Sequence, residues 1–383
     1  MSPKVVVFDF VAASVGGQLP RAEALLARIR TYDPDSAIFI LRQPGTLEFC
    51  DSRADLTVIE VSGGGSVMKR LIWRQFSLTK LLHRLKADVF ISFSNLHSDR
   101  TSAKTILGVL NLAPFSEAAA SAEPGFRARF RLRLLRRLVL QAARKASSVF
   151  ALSETARQAL CANGIEWGKV SVIPNGISDD VGVMGVEEAK AVLGAAWPGE
   201  NYILYVSHFY SYKNMERLLD AYAALPKDLR SRHNLVIAGR IMDSAYHQRV
   251  MERARELGVD QQLTVLPGVS HRAISALHAG ASVFAFPSLV ENCPNALLEA
   301  MRCGTPIACS NQPSMPEFAE DGAEYFDGFD ARAMSDALYR LLSDQPHASM
   351  ISAKAQALSK RYTWDRFAHD LVALYRNPAR GLS

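Results

Sequence analysis

The sequence predicts two doubly wound α/β domains, on three observations. Short apolar runs of strand length alternate with longer amphipathic patterns along the whole chain, the rhythm of βα units around parallel sheets. At 383 residues, 49% hydrophobic and 21% charged, the chain has globular composition and the length for two cores. Between the two halves, residues 179–200 carry acid, glycine and the break Trp197-Pro198-Gly199, which reads as a linker. The expected organisation is a first domain over 1–178, a linker over 179–200, and a second domain over 201–360 with a last helical segment over 361–383.

Composition narrows the function classes. The five cysteines, Cys50, Cys161, Cys293, Cys303 and Cys309, are odd in number and hold no C-x-x-C pair. A reducing compartment is expected, and a structural zinc site is not. The opening MSPKVVVFDF has too short an apolar run for a signal peptide, and no uncharged run approaches transmembrane length. These points favour a cytoplasmic protein. Net charge is +6 but uneven: residues 1–178 hold 24 basic against 14 acidic side chains, and residues 179–383 hold 20 against 24. A basic first half suits an anionic membrane or nucleic acid, yet no groove-reading or base-stacking motif accompanies it. A nucleic-acid partner is not expected.

Taken in order, Lys4 to Phe10 is a strand, followed by a Gly16-Gly17 turn and a helix through Leu25, Leu26 and Ile29. The two glycines are either a tight turn or a place where backbone amides approach a ligand. Asp33-Pro34-Asp35 precedes the strand Ala37 to Leu41 and reads as a turn, not as a metal-binding D-x-D. Ser62 to Ser66, with three glycines, lacks the context of a dinucleotide fingerprint. Ile72 to Leu85 reads as helix and Asp88 to Phe93 as strand, with His97 just beyond that strand's carboxyl end. His97 is either a satisfied loop residue or a contact to acceptor or donor. Thr105 to Leu110 is the next strand, leading to Asn111.

Residues 126–145, FRARFRLRLLRRLVLQAARK, form an amphipathic helix. Arg129, Arg133, Arg136, Arg137 and Arg144 share one face, and Leu134, Leu135, Leu138, Val139 and Ala142 are expected opposite. The basic face is either an ordinary solvated surface or a dock for anionic lipid. Val149 to Ser153 and Val170 to Pro174 close the first domain. The second opens with strand Tyr202 to Val206, then Ser207-His208 and Lys213 before a helix through Leu218, Leu219 and Ala223. A lysine at a strand-loop-helix junction suits phosphates. Leu235 to Gly239 ends at Gly239-Arg240, and Leu263 to Leu266 leads to Pro267-Gly268-Val269-Ser270. Pro306 to Cys309 is a strand, and Ala331 to Leu342 and Thr363 to Tyr375 are helices.

The most informative stretch is FAFPSLVENCPNALLEAMRCGTP, residues 284–306. It reads as a strand, a polar loop carrying Glu291, and a helix with Pro294 as its first residue, Glu299 about one and a half turns in, and Gly304 as its stop. Both acids can then face the crevice beyond the strand's carboxyl end, where open α/β sheets bind ligands. Unpaired amides at the start of that helix suit a diphosphate.

This string, F-x-F-P-S-x-x-E-N-x-P-N-x-x-x-E-A-M-x-x-G-x-P, resembles the donor-site signature of retaining glycosyltransferases of family 4, which have the GT-B fold. The resemblance continues through Ser314-Met315-Pro316-Glu317 and Tyr325-Phe326-Asp327, and covers nearly the whole chain. It implies two Rossmann-like domains facing a cleft, with the last helix returning toward the first domain. The reaction implied moves a sugar from a nucleotide diphosphate sugar with retention. Because no D-x-D or His/Cys cluster sits at a strand end, no divalent metal is expected to take part, and no other cofactor is expected. By the same resemblance Glu291 holds the donor sugar, Lys213 the phosphates and Glu299 the ribose. Gly16 and Gly17 would face the donor phosphates, and Gly268 and Val269 the nucleobase.

Asn292, Cys293, Pro294, Asn295, Ala296, Ser207, His208, Gly239 and Arg240 complete the implied donor site, with Asn295 and Ala296 as amide donors. Where the family has glycine-arginine, this chain has Ser207-His208, so one fixed positive charge is either missing or dependent on histidine protonation. Where members often place a histidine, it has Asn111. The E-N-x-P-N form is similar to mannosyltransferase-like members, so GDP-mannose is the expected donor. The expected acceptor is a saccharide or lipid-linked saccharide of polysaccharide or lipopolysaccharide assembly, met at the inner membrane face through Arg129, Arg133, Arg136 and Arg137. The alternative is a non-catalytic glycosyltransferase-like binding or scaffold protein.

Overall fold

Two all-parallel sheets carry the fold in the computed structural model, which describes residues 4–12, 18–61, 73, 77–94, 101–122 and 125–376. Among those residues the first sheet contains β1 (Val5–Asp9), β2 (Ala37–Arg42), β3 (Leu56–Glu60), β4 (Val89–Ser92), β5 (Lys104–Val109), β6 (Ser148–Ala151) and β7 (Val170–Val172), in the order β3-β2-β1-β4-β5-β6-β7. The second contains β8 (Tyr202–Val206), β9 (Asn234–Ala238), β10 (Leu263–Leu266), β11 (Ala281–Phe286), β12 (Ile307–Ser310) and β13 (Glu324–Phe326), in the order β10-β9-β8-β11-β12-β13. Helices on both faces bury the central strands, so these lack polar alternation. β8 reads YILYV and every residue in it is buried.

The order of each sheet locates its crevice. The chain winds outward from β1 to β3, and from β8 to β10, and then returns to the far side of the starting strand at β4 and β11. Loops leaving β8 and β11 therefore diverge from neighbouring strand ends, and that gap is where ligands bind. In the first sheet the corresponding loops include Gly16, Gly17 and His97, which lie outside the described residues, as does the glycine run Ser62 to Ser66.

Two compact units follow, and neither is one continuous segment. The first takes residues 1–115, 129–176 and 363–383, and the second takes residues 116–128 and 177–362. The segment 116–128, read as part of the first domain, clusters with the second unit, where helix Glu117–Ala122 packs on the turn Ser211–Lys213. Residues 179–200 are not a free linker. Helix Val186–Leu193 packs against helix His271–Gly280, and Gly182 N–H donates to Ser275 Oγ at 3.2 Å. Acid and glycine there mark a helix start and turns, not slack chain.

Two further differences have plain causes. The basic helix Phe126–Lys145 buries Leu132, Val139, Ala142 and Ala143, but Leu134 is 48% exposed, so it belongs to the arginine side and not to the packed stripe. Strands β3 and β13 carry no sequence reading of their own: β3 is a half-exposed edge strand and β13 has only three residues.

Helix Trp364–Arg376 belongs to the first unit through a buried carboxylate. Asp33, fully buried, accepts from Tyr375 Oη, from the Arg376 guanidinium and from Ser36 N–H at 3.3 Å. Arg28 Nε reaches Asp365 at 3.0 Å, and Lys4 Nζ donates to the Tyr375 and Arg376 carbonyls at 3.3 Å. Burial alone would raise the Asp33 pKa. The hydrogen bonds from Tyr375, Ser36 and Arg376, with the Arg376 charge, outweigh burial and hold it below the ordinary value. A depressed carboxylate stabilises the fold above its unfolded pKa of about 4, and that stabilisation is lost as pH falls through the folded value. We expect Asp33→Asn to lose about 2 kcal/mol in urea unfolding at pH 7. The difference from wild type should narrow steadily toward pH 3.

Candidate functional site

The loops after β8 and β11 meet at an ion pair. Lys213 Nζ donates to Glu291 Oε1 at 2.5 Å, with both side chains about 15% exposed. Burial acts to lower the lysine pKa, but the Glu291 carboxylate, with Tyr212 and Tyr205, raises it above the ordinary value. Lys213 is therefore a permanent cation at the carboxyl end of β8.

Neighbouring side chains fix the backbone that presents this pair. Tyr205 Oη donates to the Lys213 carbonyl at 3.0 Å and is hydrogen-bonded to Ser288 Oγ at 3.1 Å, so one buried phenol joins both loops. Burial pushes its pKa up to about 12, which keeps it protonated as a donor. Asn214 adopts the left-handed conformation at φ 62°, which asparagine tolerates better than most residues. Its Nδ2 donates to the Pro287 carbonyl at 3.1 Å and the Gly328 carbonyl at 2.7 Å. Leu289 N–H donates to the Tyr212 carbonyl at 2.9 Å, and the buried Ser314 Oγ donates to the Glu291 carbonyl at 2.9 Å. Sequence reading places Ser314 only within a longer string, and assigns no role to Asn214 or Tyr205.

Ser207 and His208 leave β8 beside Gly239-Arg240, which leave β9. A Cβ on Gly239 would stand 1.9 Å from the Ser207 carbonyl oxygen, so only glycine permits this approach of the two loops. The Arg240 N–H donates to His208 Nδ1 at 3.2 Å, which leaves the ring proton of a neutral imidazole on Nε2. Burial, then Lys213 and Arg240, lower the histidine pKa. With no ligand bound, these neighbours favour the neutral ring, which then carries its N–H on Nε2.

The helix after Glu291 runs Asn295–Cys303, one residue later than the sequence suggested, with Pro294 outside it at ψ 80°. Gly304 ends it at φ 73°, a conformation costly to other residues. The Asn295 N–H, one of the two expected amide donors, donates to the Cys293 carbonyl at 3.0 Å, and Ala296 is the second residue of the helix. Asn292 and Cys293 lie in the loop between Glu291 and this helix. Glu299, 7% exposed, lies on the second turn with Oε1 3.5 Å from His271 Nδ1. Nothing in the sequence singled out His271. Gly268 (φ 74°) and Val269 follow the edge strand β10 just ahead of it.

In the first unit, Asn111 Oδ1 accepts from Ala113 N–H at 3.0 Å and caps a local turn. Arg129, Arg133, Arg136 and Arg137 are exposed, and Arg136 donates to Asn163 Oδ1 at 2.5 Å. Among the described residues no group of three or more His, Cys, Asp or Glu is arranged to hold a metal ion, and no helix is long and apolar enough to cross a membrane.

Residues 193–358 match the family model "Glycosyl transferases group 1", and residues 35–181 match "Glycosyltransferase Family 4". An Escherichia coli "O-antigen chain mannosyltransferase B" is 31% identical over 182 residues, 47% of this chain and 46% of the relative. The E. coli "Serotype-specific mannosyltransferase WbdA" is 26% identical over 229 residues, 59% of this chain and 28% of the relative. The matches thus span less than half the length of these relatives. Sucrose-phosphate synthase from Thermosynechococcus elongatus superposes with TM-score 0.76 at 17% identity, over 98% of this chain and 99% of that one.

The Asn214 amide is a direct test of the framework around the ion pair. Asn214→Gly keeps the left-handed backbone and removes both carbonyl bridges. We expect it to lower unfolding free energy by about 2 kcal/mol, with a larger fall than Asn201→Gly at another left-handed asparagine.

Proposed function

The chain belongs to the group 1 glycosyltransferases of GT-B fold, and from that premise we propose that it moves a hexose from a nucleotide diphosphate sugar to a saccharide acceptor with retention of configuration. The observation that carries this reading is the Lys213–Glu291 pair at the β8/β11 switch crevice, with the start of helix Asn295–Cys303 immediately beyond it. A cation, a neutral His208 N–H and the Ala296 amide are suited to a diphosphate whose charge grows as it departs. Glu291 is suited to the hydroxyls of the sugar that stays behind, and Glu299 to the ribose.

Chemically, the bond from the anomeric carbon to the diphosphate oxygen breaks and one to an acceptor oxygen forms on the same face. The departing diphosphate takes the acceptor's proton. No divalent metal is assigned a part, so transfer should persist in EDTA. GDP-mannose is the favoured donor, and an O-antigen or lipopolysaccharide saccharide the favoured acceptor, because the two E. coli relatives carry mannosyltransferase and O-antigen names.

Lys213 is held by Glu291 before a diphosphate arrives, so donor binding transfers its charge from carboxylate to phosphate. We expect Lys213→Ala to lower sugar transfer roughly 10² to 10³-fold. Glu291→Gln should lower transfer comparably but bind free GDP at least as tightly as wild type, since Lys213 no longer has a competing carboxylate. Unchanged turnover in a labelled-donor assay removes that residue from the mechanism, and no sugar transfer or release across a donor panel refutes catalysis.

The membrane part of the reading rests on the helix Phe126–Lys145. Phe130 (57% exposed) and Leu134 (48%) share a face of about 100° with Arg133 and Arg137. Apolar side chains among arginines suit the boundary of an anionic bilayer, where each arginine contributes about 1 kcal/mol. Replacing Arg129, Arg133 and Arg137 with Glu should abolish cosedimentation with phosphatidylglycerol vesicles while preserving turnover on a soluble acceptor. Equal binding of wild type to neutral vesicles would refute the electrostatic account.

A further inference from the structure

Ser314 is held in a conformation that serine rarely adopts. It sits at φ 75° and ψ −33°, immediately before the short helix Met315–Ala319, and is 1% exposed. A positive φ is costly to a residue with a Cβ and open to glycine, and such strain persists only where the surroundings over-determine it. Here both flanks of the turn are anchored. Asn311 N–H donates to the Phe326 carbonyl at 2.8 Å, Gln312 N–H to Ser310 Oγ at 3.2 Å, and Met315 N–H to the Gln312 carbonyl at 3.3 Å. Met315 and Phe318 are buried in the core of the second unit.

What serine has and glycine lacks at such a position is the hydroxyl. Its Oγ donates to the Glu291 carbonyl at 2.9 Å, across 23 positions of chain, and its other neighbour, Met315 Sδ at 3.8 Å, is a weak acceptor. A held carbonyl fixes the planar peptide that follows Glu291, and so restricts the direction in which the Glu291 side chain leaves the main chain. That restriction matters most when the carboxylate has lost its partner. Lys213 Nζ meets Glu291 Oε1 at 2.5 Å, and a diphosphate that draws the lysine away leaves the aim of the carboxylate to its main chain.

We propose that Ser314 is a positioning residue for sugar transfer: its strained backbone brings its hydroxyl to the Glu291 carbonyl, and that bond keeps the Glu291 carboxylate in place once a donor's diphosphate has engaged Lys213. The proposal rests on Glu291 holding the donor sugar, as proposed above. A supporting residue outside the ligand contact is what gives such a group its precision.

Two variants separate the hydroxyl from the strain. Ser314→Ala and Ser314→Gly both lack the hydroxyl, and only alanine keeps the Cβ that strains the backbone. Ser314→Gly should therefore melt about 3 °C above Ser314→Ala. Sugar transfer, measured with the labelled GDP- or UDP-hexose that wild type turns over best, should fall by about tenfold or more in both variants. Calorimetric affinity for the matching nucleoside diphosphate should stay at the wild-type value, and Ser314→Ala added to Glu291→Gln should lose no more transfer than Glu291→Gln alone. A merely structural serine gives another pattern, in which transfer follows melting temperature and glycine recovers what alanine loses. Wild-type turnover in Ser314→Gly, or a further loss in the double variant, overturns the assignment of Ser314 while leaving Glu291 in place. Ser314→Ala melting at or above Ser314→Gly overturns the strain. A Glu291→Gln variant with full turnover, or a wild type that turns over no donor, overturns the role of Glu291 and the Ser314 proposal with it.

Discussion

A lysine and a glutamate, 78 positions apart and each about 15% exposed, share a proton-bearing contact of 2.5 Å. Neither charge can be left alone in so dry a place without a cost of several kcal/mol. Each needs the other or a ligand, so the loops that carry them are held in place. Tyr205, Asn214, Ser314 and the Leu289 amide each tie one of these loops to a neighbour. The sheet order supplies the proximity: β8 and β11 are neighbours although β9 and β10 intervene in the chain.

Much of this was legible in the sequence because the decisive residues follow short-range rules. A run such as YILYV, five apolar residues between polar breaks, reads as a covered strand, Gly304 stops its helix, and Lys213 and Glu291 stand where strands give way to loops. Legibility failed where the outcome depends on distant partners. Asp33 looked like turn chemistry because Tyr375 and Arg376, which use its carboxylate, lie more than 340 residues away. His271 escaped notice because Glu299, whose Oε1 lies 3.5 Å from its Nδ1, is on another helix. Leu134 was assigned to the buried stripe because a helical wheel says which residues share a face, not how wide the covered face is.

Charge at the site is a matter of placement and not of total. The half of the chain that holds the candidate donor site has more acidic than basic side chains, yet its crevice gathers Lys213, a neutral imidazole N–H and a helix start. Such a site offers directed donors with little net positive field.

The Asp33 anchor also bears on how the chain is made. The last described element of the first unit is Trp364–Arg376, which leaves the ribosome only after the whole of residues 177–362. Domains usually fold in the order in which they are synthesised. Here the segment that emerges first stays incomplete, its Asp33 carboxylate without Tyr375 and Arg376, while the later unit already has nearly all of its parts. Vectorial synthesis therefore runs against the order of completion, and the nascent first unit is the stretch for which chaperone protection would matter most.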